Sequence, residues 1–410
     1  MKVERVEQHY IGLNTHFGKF VDAYCFKSKN LYNYANYIVR ESFIEDNNWI
    51  RYNKLFEMVK NSDPYKDIGS NVGQATLRML DKAWKSFFES MKDWSKNPSK
   101  YLGRPKLPKY RPKDGRYVLA LDNNKVKMKD GFVYFAWKPF KPFNNLFKTN
   151  ARNRILQCRF VPKGGGYTME VVYEIDVPDC KNLSDRIVSI DIGVDNFITM
   201  VNNIGVNPIA IKGGVIKSIN QYYNKTNAKI RSELMKTNKM NWSKKLQQLK
   251  DKRYEMIKYH MHCISKYIIN WCITHNIDTI VVGHSSNWKQ EKSGMQNFTY
   301  IPYELFLHML SYKSQNLGIR YIESEESYTS GTSFLDREEP CKDNYNKERR
   351  LYRGLFISND GHKINADVNA AYQIMKKVFP DVFSDGIEGV GLHPTIINFG
   401  NVNGAKVSIN

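Results

Sequence analysis

The chain has 410 residues, enough for two or three domains with cores of their own. Lys and Arg number 62 against 41 Asp and Glu, a net charge of +21, while 41% of residues are hydrophobic; this is a globular composition with a basic excess, not a disordered polycation. Such a surface suits nucleic acid, because phosphates condense counterions that a basic protein releases on binding. A membrane protein is disfavoured, since no run has the apolar length of a span and Met1–Glu7 lacks the apolar stretch of a secretory signal, so a cytosolic protein is expected.

In chain order, Asn30–Phe43 is predicted helical, and Val72–Lys92 more strongly so, with Leu77, Leu80, Trp84, Phe87, Phe88 and Met91 recurring at helical spacing as a core face. Lys96–Arg116 follows with eight basic residues, four prolines and one acid, which excludes a helix. Either it is a solvated linker, or its prolines hold a strip open so that Lys106, Lys109, Arg111 and Lys113 meet a phosphate backbone. From Tyr117 to Ile175, runs such as Phe132–Trp137 and Met169–Tyr173 read as strands of a small barrel or curled sheet.

A second pattern begins at Arg186. Arg186–Asp191 is a buried strand, Phe197–Val201 its hairpin partner and Ile209–Ile211 a third strand. Basic helices are predicted over Lys217–Met235 and Trp242–His275, then a strand at Thr279–Val282, a helix at Pro302–Gln315, a strand at Ile319–Glu326 and a last helix at Asp367–Val378. This is the order of an RNase H-like sheet. The six cysteines form no C-x-x-C pair, so neither a disulfide framework nor a Cys-rich zinc site is suggested.

Nucleases on such a sheet hold two divalent metals about 3.5–4 Å apart with carboxylates from strand ends and a helix. Asp191 closes an apolar strand, where an unpaired carboxylate would be costly and a cation is expected. Asp367 opens the last helix, where it could equally be only an N-cap.

The run Ser189-Ile190-Asp191-Ile192-Gly193-Val194-Asp195-Asn196-Phe197 resembles the first RuvC motif of the transposon-encoded TnpB (OrfB) proteins and their relatives, the compact type V CRISPR effector nucleases. Asn365-Ala366-Asp367-Val368-Asn369-Ala370-Ala371-Tyr372-Gln373-Ile374 resembles the third. Gly73–Leu77 through Asp81–Phe88, Gly103–Lys106, His262–Ser265 and Tyr312–Lys313 extend the likeness over nearly the whole chain. The resemblance implies an α/β multidomain protein. Residues 1–185 would form a wedge-like β-barrel with a helical recognition region inserted at about 28–115, and residues 186–410 an RNase H-like (RuvC) domain with an insert at about 331–363. It further implies Mg²⁺ as cofactor, a guide RNA with an omega-type scaffold and target double-stranded DNA as partners, a monomer, and a cytoplasmic protein associated with the bacterial nucleoid when bound to DNA.

Two departures from the family pattern matter. Gly283 stands where the second RuvC glutamate is expected, while the next strand ends in Glu323-Ser324-Glu325-Glu326. Neighbouring strands lie about 4.8 Å apart, so an acid one strand over can serve the same metals; Glu326 is preferred and Glu325 kept as the alternative. The positions of the family's zinc-binding cysteines are Ser333, Asp336, Ser358 and Gly361, which leaves a zinc-free insert whose Lys347, Arg349, Arg350 and Arg353 are candidates for nucleic-acid backbone. The implied activity is RNA-guided DNA cleavage beside a short adjacent motif. The alternatives are a guided DNA-binding protein or repressor that no longer cuts, a compact CRISPR-associated effector, and an unguided RNA-binding protein.

Overall fold

The structure, a computed structural model, describes residues 1–180, 185–238, 240–284, 300–384, 386–387, 389–399 and 407–409. The chain divides into two compact units, Lys2–Asp176 and Val177–Asn410, the latter joined by Met1.

The first unit starts with β1 (Lys2–Gly12) and α1 (His16–Asp46), whose N-terminus is capped by the Thr15 hydroxyl accepting from the Gly18 N–H at 2.9 Å. Helices α2 (Tyr52–Val59), α3 (Asp63–Ile68) and α4 (Ser70–Lys96) follow. Then come β2 (Leu119–Asp122), β3 (Val126–Lys129), β4 (Phe132–Phe135), β5 (Ile155–Lys163) and β6 (Gly166–Asp176). The main sheet runs β1-β6-β5-β2, antiparallel throughout, and β3 with β4 forms a separate ribbon. Leu77, Leu80 and Trp84 of α4 are fully buried as their spacing predicts, and the Trp84 indole donates to Asn36 Oδ1 at 3.0 Å. Strand β1, absent from the sequence reading, pairs with β6 along all of its length. Its alternating exposed and half-buried residues carry the two-residue period in a charged sequence.

The second unit contains β7 (Ile187–Ile192), β8 (Asn196–Asn202), β9 (Ile209–Lys212), α5 (Gly214–Asn238), α6 (Lys244–Thr274), β10 (Thr279–His284), α7 (Tyr303–Gln315) and β11 (Arg320–Glu325). A small sheet of β12 (Arg350–Tyr352), β13 (Leu355–Ile357) and β14 (Lys363–Asn365) leads into α8 (Ala366–Val378), and β15 (Thr395–Phe399) and β16 (Val407–Ile409) close the chain. The large sheet is ordered β11-β10-β7-β8-β9-β15-β16. Strands β7, β8 and β9 are antiparallel, while β10 and β11 run parallel to β7, which is the RNase H-like arrangement extended by two strands. Gly193 turns the chain between β7 and β8, where a Cβ would lie 2.6 Å from the Asn196 carbonyl oxygen.

Strand pleating gives this sheet two distinct faces. Val188, Ile190, Ile280 and Val282 pack in one core with residues of α6 and α7, such as Ile257 and Phe306. Ile187 and Val281 pack in another with Val368, Ala371 and Tyr372 of α8. Asp191 and Gly283 continue the second set, and therefore lie on the face covered by α8.

Candidate metal centre and nucleic-acid interface

The register explains why Asp191 and Gly283 are neighbours. Val282 pairs with Ile190, so the next residue of each strand, Gly283 and Asp191, sits at the same level. Across the other edge Gly283 pairs with Ser324, so Glu326, two residues past Ser324, continues the same side. The space above Gly283 is shared by Ile374 and Glu326, whose Cδ1 and Oε2 lie 2.5 and 3.2 Å from the position of a Cβ there.

Asp367 approaches from α8. Its expected alternative role as the helix cap is taken by Asn365, whose Oδ1 accepts from the N–H groups of Asp367 and Val368 at 3.0 and 3.2 Å. The Asp367 carboxylate is thereby directed elsewhere: Oδ2 accepts from Asn196 Nδ2 at 2.7 Å and Oδ1 faces Arg350 Nη2 at 3.3 Å. Asn196 is itself oriented by Lys212 Nζ, 2.8 Å from its Oδ1.

The three acids interact electrostatically. The Asp191 carboxyl is held well above its ordinary value, first by burial, then by the charges of Asp367 and Glu326, with Arg350 opposing. Burial and then the Glu326 charge likewise push the Tyr303 hydroxyl up to about 12. Thr199, the cross-strand partner of Asp191, has a buried hydroxyl without a hydrogen-bond partner among the described residues. Carboxylate and hydroxyl oxygens are hard donors of the kind Mg²⁺ takes, so Asp191, Glu326 and Asp367 have the right chemistry for that ion. Among the described residues no group of three or more His, Cys, Asp or Glu is placed so as to hold a metal ion as it stands; Asp367 has Arg350 as its counter-charge.

Glu325 is not brought into this cluster. Its carboxylate accepts from Lys377 Nζ at 2.8 Å and from the Ser327 N–H and hydroxyl, and these bonds hold its carboxyl below the ordinary value against the opposing effect of burial. The sequence reading missed Asn196, Thr199 and the Arg350 contact. Asn196 lies inside the quoted motif, but its bond to Asp367 depends on contact between elements far apart in the chain.

On the first unit, the proline-rich strip is laced to α1 by side chains that take its carbonyl groups. The Pro108 carbonyl accepts from Asn36 and Arg40 at 3.1 and 2.9 Å, Lys109 from Tyr32 at 3.3 Å, Arg111 from Asn33 at 2.9 Å and Lys113 from Lys29 at 2.7 Å. The Arg111 N–H donates back to Asn33 Oδ1 at 2.8 Å. Lys106, Lys109, Arg111 and Lys113 stay exposed along this anchored backbone, so the linker alternative is replaced by a fixed basic strip. A cavity of about 330 Å³ beside it is lined by Tyr32, Phe87, Pro105, Lys106, Lys109 and Arg111, among others.

The basic insert is arranged differently from the expectation. Lys347 is exposed, but Arg349 is turned inward onto Glu338, Arg350 contacts Asp367, and Arg353 pairs with Asp195 at 2.5 Å beside Lys217. Three of the four candidates thus have carboxylate partners in the protein, and Arg349 in particular is not presented to a phosphate backbone. Charge counting along a sequence does not show which cations are already neutralised.

Comparison with known proteins agrees with this architecture. The OrfB_IS605 family model, described as a probable transposase, matches residues 170–289, and the Cas12f1-like TNB domain model matches residues 303–374. Residues 170–289 thus resemble the OrfB_IS605 family and residues 303–374 the Cas12f1-like TNB domain, and the chain is similar to TnpB-like proteins. The TnpB-like protein ORF457 of Acidianus two-tailed virus is 23% identical over 392 residues, covering 85% of this chain and 81% of that protein. The cryo-EM structure of the Cas12f1–sgRNA–target DNA complex superposes with a TM-score of 0.56 at 12% identity, covering 88% of this chain and 82% of that one. The mini-RNA-guided endonuclease CRISPR-Cas_phi3 does so with a TM-score of 0.50 at 11% identity, covering 96% and 94%. At these identities the likeness shows a shared mixed α/β, multidomain fold. No helix among the described residues is long and apolar enough to cross a membrane.

Proposed function

We propose that this protein is an RNA-guided DNA endonuclease in which Asp191, Glu326 and Asp367 hold Mg²⁺. The observation that carries the proposal is the Glu326 carboxylate above Gly283, on the sheet face that bears Asp191 and beneath the helix that bears Asp367. Bound magnesium would supply activation of water and stabilisation of the leaving oxygen in phosphodiester hydrolysis. The protein's part is to keep three repelling carboxyl groups together. Burial and mutual repulsion raise the Asp191 carboxyl, and a divalent cation held there would favour its ionised form. Asn196 and Lys212 fix the direction of Asp367.

In this reading the first unit is the wedge-like barrel with its helical recognition region, and the anchored strip at Lys106, Lys109, Arg111 and Lys113 contacts nucleic-acid backbone. The partners are a guide RNA and a double-stranded DNA target, with sequence read by base pairing and the protein reading a short flanking motif. Alanine at Asp191 or Asp367 is expected to abolish cutting while RNA-directed binding to the target survives. Full cutting by either variant would refute the assignment.

A second reading, guided binding without cleavage, is favoured by Arg350, which supplies Asp367 with a permanent counter-charge at 3.3 Å. Robust cleavage of target DNA by the purified RNA complex in Mg²⁺ would exclude it.

A further inference from the structure

The insert between β11 and α8 has serine, aspartate and glycine at the four positions where the resemblance would put cysteines, and no tetrahedral thiolate set can be assembled from Ser333, Asp336, Ser358 and Gly361. The two turns are nevertheless formed and tied to each other. Ser333 Oγ accepts from the Asp336 N–H at 3.2 Å, and Ser358 Oγ accepts from the His362 N–H at 3.0 Å. Asp336 Oδ2 reaches across to accept from the Asn359 N–H at 2.9 Å. Ser333 and Ser358 are both buried, as a core pair would be.

At the junction of the two turns lies one guanidinium group. Arg349 Nη1 is 2.7 Å from Glu338 Oε1 and 3.6 Å from Asp336 Oδ2, and its Nη2 donates to Asn359 Oδ1 at 2.6 Å. The Arg349 side chain retains only 21% of its exposure, and the Asp336 and Glu338 side chains retain 9% and 16%. Glu338 Oε2 also accepts from the Ser333 N–H at 2.8 Å, so the same carboxylate bridges the arginine and the first turn. The Arg349 carbonyl accepts from the Ile357 N–H at 3.0 Å, which seats the arginine against the second turn.

We propose that Arg349 is the organising centre of this lobe in place of a metal ion: its planar fork joins Asp336 and Glu338 of the first turn to Asn359 of the second. Arginine suits the task because its charge is permanent and its donors diverge in a fixed plane. Lysine would supply the charge without the fork. The consequence extends to the neighbouring residue. With Arg349 drawn inward, Arg350 is left facing Asp367, so the network also positions the cation beside the acidic cluster. The lobe is closed on its other side by Asn369 of α8, which accepts from the Phe334 N–H at 2.9 Å and donates to the Thr332 carbonyl at 2.8 Å. This inference does not depend on whether the protein cuts DNA.

The test combines zinc analysis of the full-length protein, purified without chelator, with hydrogen exchange across residues 331–363. The wild-type protein is expected to retain no stoichiometric zinc, and EDTA to leave exchange in the lobe unchanged. Arg349→Ala is expected to speed exchange there by about tenfold or more while β7 and β8 stay protected, with Arg349→Lys showing a smaller loss and Arg350→Ala none. Should Arg349→Ala fail to fold, Glu338→Gln probes the same network more gently and is expected to accelerate exchange in the same segment. Stoichiometric zinc, EDTA-sensitive exchange, or wild-type protection in both Arg349→Ala and Glu338→Gln would overturn the proposal.

Discussion

Glu326 and Ile374 share the space that a side chain at Gly283 would need: a Cβ on Gly283 would lie 3.2 Å from Glu326 Oε2 and 2.5 Å from Ile374 Cδ1. Ile374 is a fully buried residue of α8 itself and makes the tighter of the two contacts, so an added methyl group must displace it. Gly283→Ala is therefore expected to push Ile374 aside and crowd Glu326 with it, to lower target cleavage by about tenfold or more, and to cost about 1–3 kcal/mol of stability from overpacking. Cleavage kinetics and denaturant unfolding measure the two effects. Wild-type activity would show that the glycine is not what makes room for the acid.

Much of the second unit was legible from sequence because its signals are local. The apolar run through Ile190 marked β7, and Asn365 followed by small and apolar residues marked α8. Strand alternation implies that Glu325 and Glu326 cannot serve equally, but the place of Glu326 beside Gly283 required the register of β10 against β11. β1 escaped notice because Lys2, Glu4, Arg5, Glu7, Gln8 and His9 make it mostly polar with a single buried residue, Ile11, and only pairing with β6 reveals it. The inward turn of Arg349 was illegible for the same reason: its partners, Asp336, Glu338 and Asn359, are fixed by tertiary contact.

In the proposed metal centre a divalent cation would compete with Arg350 for Asp367. Arg350→Gln is expected to tighten Mn²⁺ binding by about threefold to tenfold, roughly 1 kcal/mol for a partly exposed pair. Titration calorimetry without nucleic acid measures it. Unchanged or weaker binding would mean that Arg350 does not oppose the metal.

The strip on α1 presents its charges from a fixed backbone. Replacing Lys106, Lys109, Arg111 and Lys113 together by alanine is expected to weaken RNA or DNA binding and to reduce the slope of log affinity against log salt by roughly three. Asn36→Ala, which removes an anchor of Pro108 without removing charge, is expected to weaken binding while leaving that slope nearly unchanged. Salt-dependent fluorescence anisotropy distinguishes the two.

Stability of the first unit should fall in acid through Asp22. Burial acts to raise its carboxyl, but bonds from Arg116 at 2.9 and 2.7 Å and from the Tyr167 hydroxyl at 2.6 Å outweigh it and hold the value below the ordinary 3.8. A depressed carboxyl contributes stability that is fully present above the ordinary value and is lost as pH falls through the lower, folded-state value. Asp22→Asn is expected to cost about 1–2 kcal/mol near neutral pH and to flatten the decline below that ordinary value. Thermal melts as a function of pH check this, and an unchanged acid limb in the variant would contradict it.

Glu326, and not Glu325, is the residue proposed to complete the acidic cluster with Asp191 and Asp367. The most direct test of this assignment is the rate of Mg²⁺-dependent cleavage of a matched double-stranded target by RNA complexes of Glu326→Gln and Glu325→Gln, prepared side by side. The account predicts a loss of about a hundredfold or more for Glu326→Gln and near wild-type cutting for Glu325→Gln, whose side chain serves Lys377 instead. Full activity in Glu326→Gln, or the reverse ordering of the two variants, would contradict it.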